Sequence, residues 1–318
     1  MRRYIAKRTL YALFIVWAVA TIVFFATRAL PGGPAQTILG QNASPEAVAE
    51  LRQKLGLNRP LLVQYADWMV ALVTFDFGQS LTSGKQIETI VSNAALRTFS
   101  IGLVGIVIGL AVAIPTGLIS ALYKDQPLDY GATVTAFLGL SMPAFFIGIL
   151  LAVAFGVWLS VLPVYGYVPI GKGVVPWFTH LILPGIAVGL PYAAIIMRMT
   201  RSSLLEVLGQ PYMKTAKAKG VSSKVRLWKH AFQNAMIPVV TVAGIQIAVI
   251  IVGTVTVEIV FAIQGIGRLL VDSILTRNYP LTQVVIVLTS VILVFANLLV
   301  DVTYTFIDPR IRYGGEGQ

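Results

Sequence analysis

Six long apolar stretches constrain the fold of this 318-residue chain more than any other feature. About 20 apolar residues cross the hydrocarbon core of a bilayer as one helix, and a soluble domain of this size could not bury six such segments. The chain is also 57% hydrophobic and only 12% charged. The sequence therefore predicts an all-α, polytopic membrane protein with six transmembrane helices, over residues 9–27, 98–122, 131–159, 181–197, 236–263 and 281–307.

The distribution of positive charge predicts the orientation of the chain. If the N-terminus faces the inside, the predicted inner loops and termini hold 15 of the 24 Lys and Arg residues, which is the bias expected of cytoplasmic segments. Both termini are then cytoplasmic, and the net charge of +11 needs no nucleic-acid partner. The first stretch is longer than the core of a cleavable signal peptide, so we expect it to remain as a span.

The mostly polar segment at residues 31–97 predicts two short helices. Ser44, Pro45 and Gly56 bracket the first, and Asn58 with Pro60 opens the second. The second helix is too short and too charged to span, so we expect it to lie along the outer membrane surface. A packed lid without a specific partner is the alternative. The apolar face of the second helix comprises Leu61, Tyr65, Trp68, Met69 and Leu72.

Glycines and prolines within the spans predict close packing and local breaks. Gly102, Gly105 and Gly109 lie along one face of the second span, where small residues let helices approach. Prolines interrupt the middle spans. Each leaves a backbone carbonyl without its helical hydrogen bond, and neighbouring helices must satisfy that carbonyl. A bundle that moves around a cavity fits these features, and a static bundle is the alternative. The prolines are Pro115, Pro143, Pro184 and Pro191.

Polar side chains within the spans are candidates for a translocation path or gate. Gln246 is the best candidate for a polar group deep in the bilayer. Glu258 lies about 30 Å along a helix from Pro238, so we expect an outer gate or a structural ion pair there. Asp301 lies one turn beyond Asn297 on the last span and should approach the inner interface of the membrane. Hydrogen bonding between helices is an equally open role for the candidates, which are Ser141, Gln246, Glu258 and Asn297.

The sequence does not carry the patterns of catalysis or metal binding. It has no cysteine, and His180 and His230 are too distant to form a metal centre alone. Residues 166–173 approach a phosphate-binding loop but lack its Ser or Thr. Ser141 has no glycine elbow and no link to His180, which argues against an intramembrane protease. We therefore expect no enzyme activity, cofactor or metal in this chain.

The polar interval at residues 198–238 carries eight basic side chains and one acid, Glu206. Pro211 predicts the first turn of a short helix and Gly220 its end, while Ser222 or Ser223 can cap a second helix that enters the next span. A short helix presented in this way suits docking into a groove on another protein. A basic loop that only sets topology is the alternative.

The string PYMKTAKAKGVSSKVRLWKHAFQNAMIP, at residues 211–238, resembles the cytoplasmic EAA loop of binding-protein-dependent ABC importer permeases of the dipeptide, oligopeptide and nickel branch. The resemblance implies a coupling helix that inserts into the cleft of an ATPase subunit. By position, Thr215 and Ala216 match the two alanines of the motif and Gly220 its turn glycine, while Lys214 replaces the glutamate of the wider superfamily. The implied ATPase-coupling residues are Tyr212, Lys214, Thr215, Ala216, Lys217, Ala218 and Gly220.

The similarity extends over nearly the whole chain, in strings such as LGLNRPLLVQYADWM, VEIVFAIQGIGRLLVDSILTRNYPLTQ and NLLVDVTYTFIDPRIRY. The long outer segment and the DPRIRY tail look like the first, B-type, of the two permeases in such systems. The resemblance implies the type I ABC importer permease fold. It divides the chain into an N-terminus and first helix (1–30), an extracytoplasmic segment (31–97), a five-helix core (98–307) with the coupling loop (198–235), and a cytoplasmic tail (308–318).

The resemblance implies a permease subunit of an ATP-driven importer in a prokaryotic inner membrane. Its implied partners are a second homologous permease, two cytoplasmic ABC ATPases that bind ATP and Mg²⁺, and an extracytoplasmic solute-binding protein. Di- or oligopeptides are the expected cargo, and nickel chelates, glutathione or oligosaccharides are alternatives for the same machine. An ion-coupled secondary transporter would need a titratable group near mid-membrane. A non-transporting scaffold would not need the helix-glycine-helix loop.

Overall fold

The computed structural model describes residues 2–29, 33–40 and 43–307, whose helices form two compact units. The first unit contains the described residues up to Leu96 together with Gln264–Leu298, and the second contains Arg97–Ile263 together with the described residues from Leu299 onward. Within the described ranges the one extended pairing is an isolated bridge, so the all-α prediction is confirmed. The helices are α1 (Arg2–Arg28), α2 (Gly33–Leu39), α3 (Pro45–Lys54), α4 (Leu61–Thr74), α5 (Ile87–Leu122), α6 (Pro127–Ser141), α7 (Ala144–Leu151), α8 (Val174–Leu208), α9 (Pro211–Ala218), α10 (Ser223–Val225), α11 (Gln233–Val260), α12 (Ile266–Leu275) and α13 (Tyr279–Ile307).

The long helices match the predicted apolar stretches. Among the described residues, α1, α5, α8 and α13 are long and apolar enough to cross a bilayer, and α6 with α7 would make a fifth, bent span. Helix α11 covers the remaining stretch over 28 residues. The membrane-spanning character of the chain is therefore confirmed, while the number of six spans stays a prediction.

The stretch at residues 131–159 is not the single continuous span that the sequence predicts, because α6 and α7 meet at an angle of 104°. Met142, between the two helices, has extended backbone angles (φ −91°, ψ 128°), and Pro143 precedes the first residue of α7. A proline ring clashes with a helical conformation at the preceding residue, which explains the position of the break. Beyond α7 the chain continues as a π-helix, Ala152–Trp158.

The other three prolines do not break their helices. Helix α5 continues through Pro115, and α8 continues through Pro184 and Pro191 for 35 residues. The prediction that every proline interrupts its span is therefore wrong at these positions. Neighbouring helices can satisfy the carbonyl groups that an internal proline frees, and most of the central part of α8 is buried.

Glycines bring α5 and α8 into direct backbone contact. A Cβ atom on Gly189 would lie 2.6 Å from the carbonyl oxygen of Gly105, and one on Gly109 would lie 3.0 Å from the carbonyl oxygen of Gly189. A larger residue would force the helices apart, so the predicted close approach is confirmed for Gly105 and Gly109. The Cβ position of Gly102 instead lies at an ordinary 3.8 Å from Ile250 of α11.

A buried ion pair joins three helices at the predicted cytoplasmic end of the second unit. Asp129, which precedes the apolar stretch of α6, is only 2% exposed. Arg201 of α8 donates from Nε and Nη2 to the two carboxylate oxygens, each at 2.7 Å, and Ser120 of α5 donates to one of them. The hydrogen bonds from Arg201 hold the pKa of Asp129 well below its ordinary value. A two-pronged charged contact of this kind fixes the relative orientation of its helices.

In the first unit, α4 packs against α1. Phe24 is fully buried under the rings of Tyr65 and Trp68, whose centroids lie 5.3 Å and 5.6 Å away. The hydroxyl groups of Tyr65 and Thr21 are 2.8 Å apart. The predicted apolar face of α4 is therefore confirmed at its aromatic residues, but Leu61 is exposed because it lies at the first position of the helix. The location of α4 at the membrane surface stays a prediction.

Polar side chains fix the turns of the first unit. Ser44 accepts a hydrogen bond from the amide of Ala47 and so caps α3, which ends just before Gly56 (φ +64°), as predicted. Asn278, between α12 and α13, is buried and donates to Ser80 at 2.7 Å.

Replacing Gly189 by alanine should destabilise the protein, because the new methyl group would lie 2.6 Å from the Gly105 carbonyl oxygen. Overpacking of this kind costs about 2 kcal/mol, so we expect a lower thermal unfolding midpoint for the detergent-solubilised protein. Gly131→Ala in α6 is the matched control, since nothing lies within 4 Å of its Cβ position. Equal midpoints for the two variants would contradict the close packing of α5 and α8.

Arg201→Gln should leave the Asp129 carboxylate buried without its counter-charge, at a cost of about 3 kcal/mol. Adding Asp129→Asn should recover most of this stability, because the double variant buries no unpaired charge. Thermal unfolding of the single and double variants measures both effects. A single variant as stable as the parent would show that the pair does not hold these helices together.

Candidate functional site

The predicted loop folds as a short helix with a defined start and end. Pro211 occupies the first turn of α9. At the other end, the amide of Val221 donates to the carbonyl of Ala216 at 3.1 Å, and the amide of Gly220 donates to the carbonyl of Lys217 at 3.0 Å. This pair of bonds is the Schellman motif, which needs a positive φ at the glycine, and Gly220 has φ +74°. The predicted helix and glycine turn are confirmed.

A second helix follows the turn, as predicted. Ser222 is its cap, since the side-chain oxygen accepts a hydrogen bond from the amide of Val225 at 3.5 Å. One turn of α10 then passes into a π-helix, Arg226–Phe232, which continues into α11. The path from the glycine turn to α11 is therefore helical without a break. We identified no sequence pattern that predicts the wide π-helical turn.

Met213 attaches α9 to the rest of the second unit. Its side chain is 7% exposed and belongs to an apolar cluster with Ala121 of α5, Leu204 of α8, Ala231 of the π-helix and Ala235 of α11. We call this group the Met213 cluster. It places one face of α9 against the ends of three long helices, so a displacement of α9 is resisted by all of them.

Hydrogen bonds reinforce this attachment. The Tyr212 hydroxyl donates to the carbonyl of His230 at 3.4 Å and accepts from Asn234 Nδ2 at 3.2 Å. Ser203 of α8 is buried and donates to the carbonyl of Ala235 at 2.8 Å, which ties α8 to α11. Sequence reasoning identified Tyr212 through resemblance alone, and these contacts describe its local structural role.

The opposite face of α9 is open. Of the seven residues predicted to couple to an ATPase, Ala216 is half-buried and the other six are exposed. Beside the helix lies a cavity of about 340 Å³, which we call the basic groove. Lys214, Lys217 and Arg226 supply its charge, while Leu208 and Leu227 contribute apolar walls. A groove of this composition is complementary to an acidic side chain with apolar neighbours.

The predicted path residues occupy different surroundings. Gln246 lines a cavity of about 110 Å³ in the second unit, together with Tyr192. Glu258 is fully buried and accepts hydrogen bonds from Thr98 at 2.6 Å and Thr254 at 3.1 Å. These contacts fix the carboxylate inside the helical packing.

The two remaining path candidates are exposed and do not line the cavity at Gln246. Ser141 donates to the carbonyl of Phe137 within its own helix, at the last residue before the bend. Asn297 lies on α13 in the first unit. The side chain of Asp301 and the tail at residues 308–318 lie outside the described residues.

Sequence reasoning missed two features of the second unit. Tyr192 is 3% exposed within α8, and its hydroxyl has no hydrogen-bond partner in the described structure. The pairing of Asp129 with Arg201 was also missed, because the two residues are 72 positions apart in the chain. A search of the described residues finds no group of three His, Asp or Glu side chains placed to hold a metal ion.

Two family models match the chain. Residues 113–313 match the binding-protein-dependent transport system inner membrane component, and residues 1–89 match the N-terminal region of such membrane components. These two models cover most of the chain.

Curated relatives are similar over their full lengths. A probable peptide ABC transporter permease of Sinorhizobium fredii is 41% identical, with 98% of this chain and 99% of the relative covered. The dipeptide transport system permease DppB of Alkalihalophilus pseudofirmus and the glutathione transport system permease GsiC of Salmonella typhi are each 37% identical, with 98% of this chain and 100% of each relative covered.

A crystal structure of an amino acid ABC transporter with histidines has a similar fold. Its TM-score is 0.50 at 13% sequence identity, and the match covers 69% of this chain and 94% of the other. The apolar helices and the family matches identify a multi-pass inner membrane protein. This chain belongs to the family of binding-protein-dependent transport system inner membrane components and is a permease subunit of an ABC importer.

Proposed function

We propose that this chain is the first, B-type, permease of an importer that takes up di- or oligopeptides delivered by a solute-binding protein. The observation that carries the proposal is α9, a short helix that Met213 fixes to the bundle while its predicted coupling residues remain exposed. The peptide cargo is supported by the names of the relatives, which include peptide and dipeptide permeases. Glutathione is the nearest alternative cargo, and nickel chelates or oligosaccharides are others.

The proposed partners lie on both sides of the membrane. Two cytoplasmic ABC ATPases bind ATP and Mg²⁺ and receive α9, a second homologous permease completes the pathway, and a solute-binding protein docks outside. Both termini face the cytoplasm, in agreement with the excess of Lys and Arg in the inner segments. The predicted division into a first helix, an outer segment at 31–97, a core at 98–307 and a tail remains part of this proposal.

The proposed mechanism starts at the basic groove and the exposed face of α9. Closure of the ATPases on ATP displaces α9, and the Met213 cluster transmits this displacement to α5, α8 and α11. Nucleotide can shift the bundle between inward-open and outward-open states only if the ATPase cleft binds α9 with different affinity in the two states. The charges of Lys214, Lys217 and Arg226 supply contacts that such a cleft could make or lose.

An ion-coupled secondary transporter would need a titratable group near mid-membrane, whereas Glu258, although fully buried, is expected near the outer interface. As an outer gate of the importer, Glu258 should instead influence the coupling of transport to ATP. We expect Glu258→Gln to change uptake or basal ATP hydrolysis by the reconstituted complex. Unchanged values of both would remove Glu258 from the proposed gate.

Gly220→Val should leave the protein inserted but lower ATP-driven uptake several-fold, because a β-branched residue resists the φ of +74° that closes α9. The measurement is uptake of a labelled tripeptide by proteoliposomes that contain both permeases, the ATPases and the binding protein.

Gly220→Asn is the matched control, since asparagine tolerates a left-handed conformation and should retain most of the uptake. Membrane abundance of each variant is measured in parallel. Full uptake by Gly220→Val at normal abundance would contradict the assignment of α9 as the coupling helix.

A further inference from the structure

The first unit contains a cavity of about 180 Å³ at the end of α1, with further walls from α2, α4 and α13. The apolar span of α1 runs from Ile5 to Arg28, which is about 36 Å of helix. Because this exceeds the hydrocarbon thickness of a bilayer, Arg28 and the cavity beside it lie at the level of the lipid headgroups. The cavity has the volume of about six water molecules, so a phosphate group fits.

Neutral groups hold the guanidinium of Arg28 in place. Its Nε donates to Gln64 Oε1 at 3.2 Å, and its Nη1 donates to the carbonyl of Phe24 at 3.4 Å. The Cζ atom lies 3.5 Å from the centroid of the Phe24 ring. Gln64 is itself fixed, because its Nε2 donates to the carbonyls of Leu57 and Arg59 at 3.1 Å and 2.8 Å. The position of Arg28 is therefore set without an acid.

The charge of Arg28 has no acidic partner in the described part of the chain. Asp67, the one acid of α4, pairs with Arg59 at 2.5 Å instead. Three of the five guanidinium N–H groups make no hydrogen bond to a described residue. Arg28 is half-buried, so this cation is partly removed from water, which costs free energy unless an anion is bound. The open N–H groups are available to such an anion.

The rest of the cavity is mostly apolar. Arg28 is the one charged residue among the described residues that line it, and Ile38 and Leu72 are among the apolar ones. Trp68 and Tyr279 also line it, and both residue types favour the headgroup level of a membrane. The hydroxyl of Tyr279 makes no hydrogen bond to a residue in the described ranges, so it offers a second donor.

A cation beside apolar walls at the membrane surface matches a phospholipid, whose phosphate and acyl chains are adjacent. Lipid can reach the site along α1, since Phe14, Trp17 and Ile22 of that helix are exposed. The ammonium group of a zwitterionic headgroup would find no carboxylate among the lining residues, which favours an anionic headgroup. A carboxylate of a soluble partner would match the cation but bring no acyl chain to cover the walls.

We infer that this cavity binds the phosphodiester group of an anionic phospholipid. Arg28 donates to the phosphate oxygens, and the first part of an acyl chain lies against Ile38 and Leu72. The bound lipid joins the end of α1 to α4 and α13 and so stabilises the first unit. The inference uses the membrane-spanning character of the chain and depends on neither the proposed cargo nor the ATPases.

The test measures lipid binding by the permease, purified in detergent with the subunits that remain bound to it and depleted of lipid. Native mass spectrometry gives the affinity, and the thermal midpoint gives the stabilisation. Phosphatidylglycerol should raise the midpoint and bind about tenfold more tightly than phosphatidylethanolamine. Inorganic phosphate at the same concentration should have no effect, because it brings no acyl chain to the apolar walls.

Arg28→Gln should bind phosphatidylglycerol about tenfold more weakly than the parent, because it loses the charged hydrogen bonds to the phosphate. Its midpoint without lipid should equal or exceed that of the parent, since an unpaired cation is removed. Lys54→Gln is the matched control, because it removes an exposed positive charge of α3 that does not line the cavity. It should bind the lipid as the parent does.

Equal affinity of the parent and Arg28→Gln for phosphatidylglycerol would overturn the inference. A parent that binds both lipids equally would also overturn it, so the test stands even if the variant does not fold. Stabilisation by inorganic phosphate alone would identify a site for a free anion. Loss of binding to the solute-binding protein by Arg28→Gln, with lipid binding unchanged, would identify a docking site for a soluble partner. Both of these results contradict a lipid site.

Discussion

The burial of Met213 is the contact on which the rest of this account depends. Helix α9 has eight residues, and a helix of that length is not stable by itself in water. Burying one methionine side chain contributes about 2 kcal/mol and places it in an apolar cluster with residues of α5, α8 and α11. The same contact leaves Lys214 and Lys217 on the open face. One side chain thus both stabilises the candidate coupling helix and determines which residues a partner can reach.

The attachment of α9 can act on several helices together because α5 and α8 are closely packed. Gly105 and Gly189 bring the two backbones together, and the pair of Asp129 with Arg201 joins α6 to the same helices near the Met213 cluster. Packed helices of this kind move as a body, because separating them costs both dispersion contacts and a buried charge pair. The cavity that Tyr192 lines is farther from the predicted cytoplasmic end of these packed helices. It borders the bend between α6 and α7, since Ala144 is among its lining residues.

The sequence predicted best where the chemistry is local. Pro211 and Gly220 define the ends of α9 through their own backbone preferences, so their positions could be inferred from spacing. The cap of α10 was narrowed to Ser222 or Ser223, and the structure selects the side chain of Ser222. The long apolar helices and the glycine contact of α5 were predictable for the same reason. Pro184 and Pro191 were misjudged, because whether a proline breaks a buried helix depends on neighbours that the sequence does not specify.

Features that depend on distant partners could not be predicted. Asp129 and Arg201 are both ordinary loop charges in the sequence, and only the packing of α6 on α8 pairs them. The unpartnered hydroxyl of Tyr192 is likewise a property of its surroundings, since tyrosine in an apolar stretch usually finds a partner. The position of the bend is explained by Pro143, but its angle of 104° depends on the helices against which α7 packs.

The central claim is that α9 contacts an ATPase, and the absence of cysteine from the chain allows a direct test. A photoreactive maleimide on Lys217→Cys places one probe on the exposed face of α9, and Lys172→Cys places the same probe on the predicted outer side. In the active complex, illumination should join the chain to an ATPase subunit from position 217 and not from position 172. Cross-linking from neither position, in a complex that still hydrolyses ATP, would contradict the account.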